Sequence, residues 1–419
     1  MVSDDVLIDI AQRYGTPIYV YNLKIIEKCV KRLKDALGDK NNLYYSVKAN
    51  PNMEILSYIK KLNVGVEVSS IVELKLVQEV GFERNNIIFS GSGKKEQDLK
   101  YIIESGIRCI NVESVEELRR IERINNEIHM QANVALRISP NQNVAKSGMK
   151  MTGILSQFGI EIDNLSNAIE CCLNSNSIKL VGIQLYNGTQ LLDANDILNN
   201  ARFTVECVKR IQNDYDIELQ FVDFGGGFGV PYFDKEQVLD MMVLKNGMIE
   251  IMNENSAIFD NLYCIFESGR YIVAEAGIYV TSIVERKMCQ QTTYLICDGG
   301  TNHYANSAFL GRIIRGNFPV SVINRVSIND DEECVTIVGP LCTPTDIIAR
   351  NIFVKKSVAN DLVIVKKAGA YGVTNSPLMF ILNPYPTEVI ISEEKKTFVS
   401  SSLKHIFSIM EGAVDAGIG

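Results

Sequence analysis

Along most of the chain, short apolar runs alternate with longer stretches whose apolar residues recur at helical spacing. The runs with strand character are Leu43–Lys48, Val64–Val68, Ile87–Phe89, Cys109–Val112, Asn133–Ile138, Leu180–Leu185, Leu219–Phe224 and Leu262–Glu267. Between them Val72–Val80, Val115–Glu122 and Ala201–Gln212 place apolar residues three and four apart, as an amphipathic helix does. Eight strands alternating with helices over roughly 240 residues predict a (β/α)8 barrel. A doubly wound sheet has the same pattern and differs in strand order, which the pattern does not contain.

After Glu267 the rhythm changes. Val273–Val284, Thr293–Cys297, Phe318–Val322, Cys334–Val338, Leu362–Val365 and Glu388–Ile391 are strand-like runs without helical crossovers. They predict a second domain, a β-sandwich or β-barrel. Residues 1–25 read as a short helix and a strand, Pro17–Tyr21, that joins this domain. The expected division is a barrel over 26–267 and a β domain from 1–25 and 268–410, with Glu411 to Gly419 as a frayed tail.

A length of 419 residues suits two domains, and a net charge of −8 argues against a nucleic-acid or anionic-membrane surface. No run approaches the roughly 20 apolar residues of a membrane span. The opening Met-Val-Ser-Asp-Asp has neither a basic segment nor an apolar core, so a cytoplasmic location is expected. Ten scattered cysteines without a Cys-x-x-Cys pair, and three histidines, predict neither a disulfide framework nor a metal site.

Candidate chemistry gathers at predicted strand ends. Lys48 closes Leu-Tyr-Tyr-Ser-Val-Lys, at the barrel end where active sites sit. A solvated strand end is the plain reading. Among apolar neighbours, however, its pKa is expected to fall and its amine to become available for a Schiff base. Gly225, Gly226, Gly227 and Gly229 follow the seventh strand in a run that can form a phosphate nest or simply a tight turn. Glu267 closes the eighth strand in Glu-Ser-Gly-Arg, where it can serve a pyridine nitrogen or pair with Arg270. Gly269 and Arg270 suit a phosphate. Arg137 and Tyr186 end the fifth and sixth strands. In the β domain, Cys342 lies in Gly-Pro-Leu-Cys-Thr-Pro-Thr-Asp346 and Tyr371 in Gly-Ala-Tyr-Gly.

Together, Tyr45-Ser-Val-Lys-Ala-Asn50, Val68-Ser-Ser70, Phe158-Gly-Ile160, Asp223-Phe-Gly-Gly-Gly-Phe-Gly229, Glu267-Ser-Gly-Arg270, Pro340-Leu-Cys342 and Gly369-Ala-Tyr-Gly372 resemble the alanine-racemase-fold decarboxylases. This is the diaminopimelate, ornithine and arginine decarboxylase group, and the motifs run in order through nearly the whole chain. The resemblance implies pyridoxal 5′-phosphate as cofactor, with Lys48 as its covalent anchor and Cys342 as the second catalytic residue. It assigns Glu267 to the ring nitrogen, and Gly225, Gly226, Gly227, Gly269, Arg270 and Tyr371 to the phosphate, and it puts Tyr186 where the family usually has a ring-stacking histidine. Arg137, at a strand end between Leu and Ile, can by its position sit near the ring or its phenolic oxygen. It also implies a homodimer whose active sites are shared across the interface.

The departures bear on the substrate. Thr343 follows the cysteine where the family has an acidic residue for a distal amine, and Gln157 replaces a lysine. The phrase Gly-Leu-His-x-His-Ile-Gly-Ser becomes Gly182-Ile-Gln-Leu-Tyr-Asn-Gly-Thr189. Arg312, Arg315, Thr343 and Asp346 are the candidate substrate contacts. This combination resembles the butirosin-pathway branch, which decarboxylates glutamate held as a thioester on an acyl carrier protein. An acyl carrier protein is thus the expected partner, with Lys94-Lys95 and Lys355-Lys356 as candidate basic patches. A free amino acid such as diaminopimelate, ornithine, lysine or arginine is the alternative substrate. A racemase, which normally offers a tyrosine opposite the lysine, fits Pro-Leu-Cys342 less well, and a cofactor carrier would not need the β domain.

Overall fold

The computed structural model describes residues 2–140, 149–150, 157–186, 188–308, 316–325 and 331–415, with 149–150, 307–308 and 413–415 by backbone alone. Eight parallel strands are Asn41–Ser46, Gly65–Val68, Ile87–Phe89, Cys109–Val112, Ala132–Ser139, Ile178–Leu185, Phe221–Asp223 and Tyr263–Ser268. Each pairs with the next in chain order, and the eighth closes on the first through Glu267 opposite Tyr44. Closure settles the topology as a (β/α)8 barrel. Parallel strands covered on both faces are buried throughout, so Gly65–Val68 shows no exposed position.

The barrel interior is layered by the two-residue period of a strand. One apolar layer gathers Tyr44, Ile88, Cys109, Ala135, Phe221 and Ile265. Gly65 lies beneath the Tyr44 ring, where an added Cβ would come within 2.6 Å of it. Two residues further along the same strands stand Glu67, Ser90, Asn111, Arg137, Asp223 and Glu267, every one of them buried. The apolar layer is therefore a floor, and the polar layer above it faces the C-terminal mouth.

Serines fix where two of the outer helices begin. Ser70 accepts from Glu73 N at 3.1 Å to start Ile71–Glu79, and Ser114 accepts from Glu117 N to start Val115–Ile128. The Glu73 carboxylate returns to Ser69 N at 2.6 Å, which ties the strand end beside Lys48 to its helix.

The second sheet is built around strand Ile18–Asn22. It runs antiparallel to Gly277–Cys289 and parallel to Thr387–Ile391. Strands Ile347–Lys355 and Thr397–Ser400 were not predicted; they end the sheet's strand order, and their exposed, mixed-polarity positions hide the alternation. The tail reading is corrected through Asp415: Ser402–Asp415 is a helix whose Ile406 and Ile409 pack on the core. Residues 416–419 lie outside the described residues. No helix among the described residues is long and apolar enough to cross a membrane.

Hydrogen bonds join the β domain to the barrel mouth beside Lys48: Tyr371 N donates to Ala49 O at 2.8 Å, and Asn50 Nδ2 donates to Gly369 O at 3.0 Å.

Candidate active site

Lys48 sits on a 3-10 turn, Val47–Ala49, immediately past the first strand. Its Nζ donates to both oxygens of Glu67 at 2.8 Å and reaches Ser69 Oγ at 3.4 Å. Burial alone depresses a lysine, as the sequence reading expected. Here the Glu67 and Glu267 carboxylates outweigh it and hold the ammonium above its ordinary value. Glu67 is fully buried, whereas the Lys48 side chain keeps 45% exposure toward the mouth. Lys48 is thus held as an ammonium rather than a free amine. Glu67 was missed in the sequence. Its signal is a carboxylate inside the all-apolar strand Gly-Val-Glu-Val.

Across the same layer the buried carboxyls of Asp223 and Glu267 share one amide. Gln184 Nε2 donates to Asp223 Oδ2 at 3.0 Å and to Glu267 Oε1 at 2.8 Å, and it lies 3.3 Å from Ser90 Oγ. Burial, the Asp223 charge and the Glu67 charge raise Glu267 well above the usual carboxylate range. Burial also pushes Asp223 up to about 6, against the donors from Gly225 N and Gln184. Of the two, Glu267 is pushed further toward its protonated form, by burial and the neighbouring carboxylate charges. No ion pair links Glu267 to Arg270 among the described residues, so the plain salt-bridge reading of Glu-Ser-Gly-Arg does not hold.

The glycine run after the seventh strand is compact. Gly225 and Gly227 have φ of +66° and +98°, and a Cβ would meet Leu185 O at 2.3 Å and Gly188 O at 2.4 Å. Close backbone approach alone therefore requires glycine at these two positions. The amides of Gly226 and Gly227 find no acceptor among the described residues.

Arg270 is a cation without a carboxylate partner among the described residues. Its Nη1 meets Tyr232 OH at 3.4 Å, its guanidinium lies 4.8 Å from the Tyr371 ring centre, and its buried Nε has no acceptor. Tyr371 adopts φ +54°, a left-handed conformation that costs a bulky residue about 1 kcal/mol or more. The bond from Tyr371 N to Ala49 O holds it there.

Arg137 is at the mouth, but its charge is engaged by buried Glu113 at 2.5 Å. The guanidinium lies 5.0 Å from the Phe158 ring centre and 5.9 Å from that of Tyr186, so it packs the Tyr186 ring. Lys94 is no surface patch: it is buried, pairs with Glu117 at 2.6 Å and donates to Asn111 O. Lys355 and Lys356 are exposed.

Cys342 is exposed and makes no hydrogen bond to the barrel among the described residues. Thr343 Oγ1 is bonded to Thr345 Oγ1 at 2.9 Å. Asp346, expected at the substrate, is 3% exposed and spends both oxygens inside the protein. It accepts from Thr301 N, Thr301 Oγ1 and Leu341 N at 2.7–2.8 Å. Its observed contacts staple the loop. Arg312 and Arg315 lie outside the described residues, as do Ser156 and Asn187.

The residues fit pyridoxal phosphate. An amine, a carboxyl that holds a proton, and a cation with an unused donor line one mouth, matching an aldehyde, a basic ring nitrogen and a phosphate dianion. The comparisons agree. Residues 23–274 match the model described as "Pyridoxal-dependent decarboxylase, pyridoxal binding domain". The chain is 37% identical over 384 residues to the L-glutamyl-[BtrI acyl-carrier protein] decarboxylase of Niallia circulans, covering 91% of this chain and 90% of that one. It is 29% identical over 367 residues to the diaminopimelate decarboxylase of Campylobacter jejuni, covering 87% and 88%. The diaminopimelate decarboxylase of Helicobacter pylori, solved with L-lysine, superposes with a TM-score of 0.84 at 26% identity, covering 97% of this chain and 100% of that one.

Proposed function

The chain belongs to the pyridoxal-dependent decarboxylase family, and from that premise we propose a role for each residue at its barrel mouth. The protein is a carboxy-lyase acting on an amino acid; bound pyridoxal phosphate supplies the sink for the electron pair left when the α-carboxylate departs as carbon dioxide. Lys48 would hold the cofactor covalently through its amine, and Glu67 with Ser69 holds that amine in place at the mouth. Glu267 keeps a proton at the ring nitrogen. Arg270, Tyr371 and the amides of Gly226 and Gly227 hold the phosphate, with Gly225 and Gly269 permitting close approach. Tyr186, packed by Arg137, covers the ring. The observation that carries this assignment is Arg270, whose buried Nε lacks an acceptor at the same mouth as Lys48 and Glu267.

Cys342 is the proposed proton donor at Cα. Exposed and without a hydrogen bond to the barrel among the described residues, it is placed in this reading at the site of a neighbouring subunit, in a homodimer where Cys342 of the partner subunit completes each site.

For the substrate, diaminopimelate decarboxylases recur among the relatives, and solved neighbours from two organisms hold L-lysine. This breadth supports a free amino acid more widely than it supports a tethered glutamyl group. A specific observation favours the second reading. Thr343 is neutral and Asp346 is fully engaged, so neither offers a free carboxylate to a distal ammonium. Together with the 37% identity to a carrier-protein decarboxylase, this supports an acyl substrate carried as a thioester.

The test is mass spectrometry of the holoenzyme with free diaminopimelate, ornithine, lysine, arginine and glutamate, run beside glutamyl-carrier protein, in deuterated water. Carbon dioxide loss from a free diamino acid selects the first reading, and loss from the tethered substrate alone selects the second. Deuterium at Cα of recovered substrate without carbon dioxide release would overturn decarboxylation in favour of racemisation.

A further inference from the structure

Gln184 occupies a place no other amide at the mouth shares. It is 2% exposed, and its single Nε2 meets Asp223 Oδ2, Glu267 Oε1 and Ser90 Oγ at 3.0, 2.8 and 3.3 Å. Ser90 Oγ also accepts from Asn111 Nδ2 at 2.7 Å, and Asn111 O accepts from buried Lys94. A chain of contacts therefore crosses the barrel from the Lys94–Glu117 ion pair to the two carboxyls. Asp223 Oδ1 is already taken by Gly225 N at 2.8 Å. The amide's own Oε1 finds no donor among the described residues. Its orientation follows from this: turned the other way, its oxygen would face two carboxyls and repel them.

We propose that Gln184 is a positioning residue that holds Asp223 and Glu267 together as one unit carrying a single proton for the cofactor's ring nitrogen. This rests on the role proposed above for Glu267. The two carboxyls come from adjacent strands, with Asp223 opposite Ile265 and Glu267 two residues further on. Two buried carboxyls on one amide nitrogen disfavour ionising together, and the charge that remains needs donors. Gln184 gives one N–H toward each carboxyl, and Gly225 N gives a third donor to Asp223. Removing the amide leaves the ionised member with fewer donors, so the pair takes up its second proton at higher pH. The other groups near the pair are Glu67 and Lys48 from the first two strands, and the Cys109 thiol, which burial and the two carboxyls push up. None of these donates a hydrogen bond to Asp223 or Glu267 among the described contacts. At this position the family phrase quoted above has an imidazole, which titrates, whereas an amide keeps its donors at every pH.

The experiment is an infrared pH titration of the cofactor-free enzyme, following the carbonyl stretch of protonated carboxyls. Glu267→Gln and Asp223→Asn identify the bands. In Gln184→Met, which conserves volume, the uptake of the second proton moves up by about one pH unit, a tenfold change in proton affinity, as expected for loss of a hydrogen bond to a charged group. If that variant does not fold, Gln184→His carries the test. There the same midpoint follows the protonation of the imidazole. An unchanged midpoint in the folded variant overturns the proposal. The titration uses neither cofactor nor substrate, so its failure is distinguishable from failure of the catalytic reading, which the activity of Glu267→Gln decides separately.

Discussion

Lys48 Nζ stands 2.8 Å from each carboxylate oxygen of Glu67, and this contact holds the lysine as an ammonium. Replacing Glu67 by Gln removes the largest influence opposing desolvation. The Lys48 pKa then falls, and the pH profile for covalent uptake of pyridoxal phosphate, followed by absorbance, moves about one unit toward acid. The wild-type shift is upward, so its contribution to stability is fully present below the unfolded lysine value of about 10.4 and is lost only above it. The stability difference from Glu67→Gln arising from Lys48 is therefore flat between about pH 6 and pH 9. An unmoved uptake profile would show that Glu67 does not govern the lysine.

Replacing Glu267 by Gln leaves a side chain of the same shape that cannot keep a proton on the ring nitrogen. Turnover should fall about 10²–10³-fold while cofactor affinity changes little, because the phosphate contacts remain. Parallel measurement of kcat and of the cofactor dissociation constant checks this. A change confined to affinity would assign Glu267 to binding alone.

Asp346 separates structure from substrate recognition. Its carboxylate accepts three buried hydrogen bonds, so Asp346→Ala should destabilise the chain by about 2–4 kcal/mol in denaturant unfolding. The Cys342 loop should loosen with it, lowering kcat. If instead the variant keeps its stability and loses substrate affinity, the sequence expectation for this residue is restored.

Glu388 supplies a pH signature away from the mouth. It lies in the strand beside Ile18–Asn22, and burial raises its pKa to about 7 against hydrogen bonds from Asn52 and Tyr21. Between its unfolded value, about 4.3, and 7 the unfolded chain has released this proton and the folded chain has not, so stability falls as pH rises. Glu388→Gln removes the effect. It should gain up to about 3 kcal/mol over wild type at pH 8 and little at pH 4.5, read by denaturant unfolding at the two values.

The barrel was legible because its strands are short apolar runs and its helices carry clean helical spacing. Closure was not, since it depends on the eighth strand meeting the first, a relation between residues more than 200 apart in the chain. Lys48, Glu267 and Arg270 stood out as polar residues at the ends of apolar runs. Glu67 and Gln184 did not, because they sit inside their strands; only the two-residue step up from Gly65 and Gly182 places them in the polar layer. Lys48 was read among its apolar neighbours in sequence, which predicted a lowered pKa. The carboxylate that reverses the shift comes from the next strand. Asp346 shows the converse, a carboxylate in a promising loop that folding consumes for the loop itself.

The most direct test of the account is borohydride reduction of the pyridoxal-phosphate-loaded enzyme, followed by peptide mass spectrometry, beside carbon dioxide release from a carboxyl-labelled amino acid that the enzyme accepts. The account predicts the reduced cofactor on the peptide containing Lys48, with both the adduct and carbon dioxide release abolished in Lys48→Ala. Attachment at another lysine, or label released at the wild-type rate by Lys48→Ala, would contradict it.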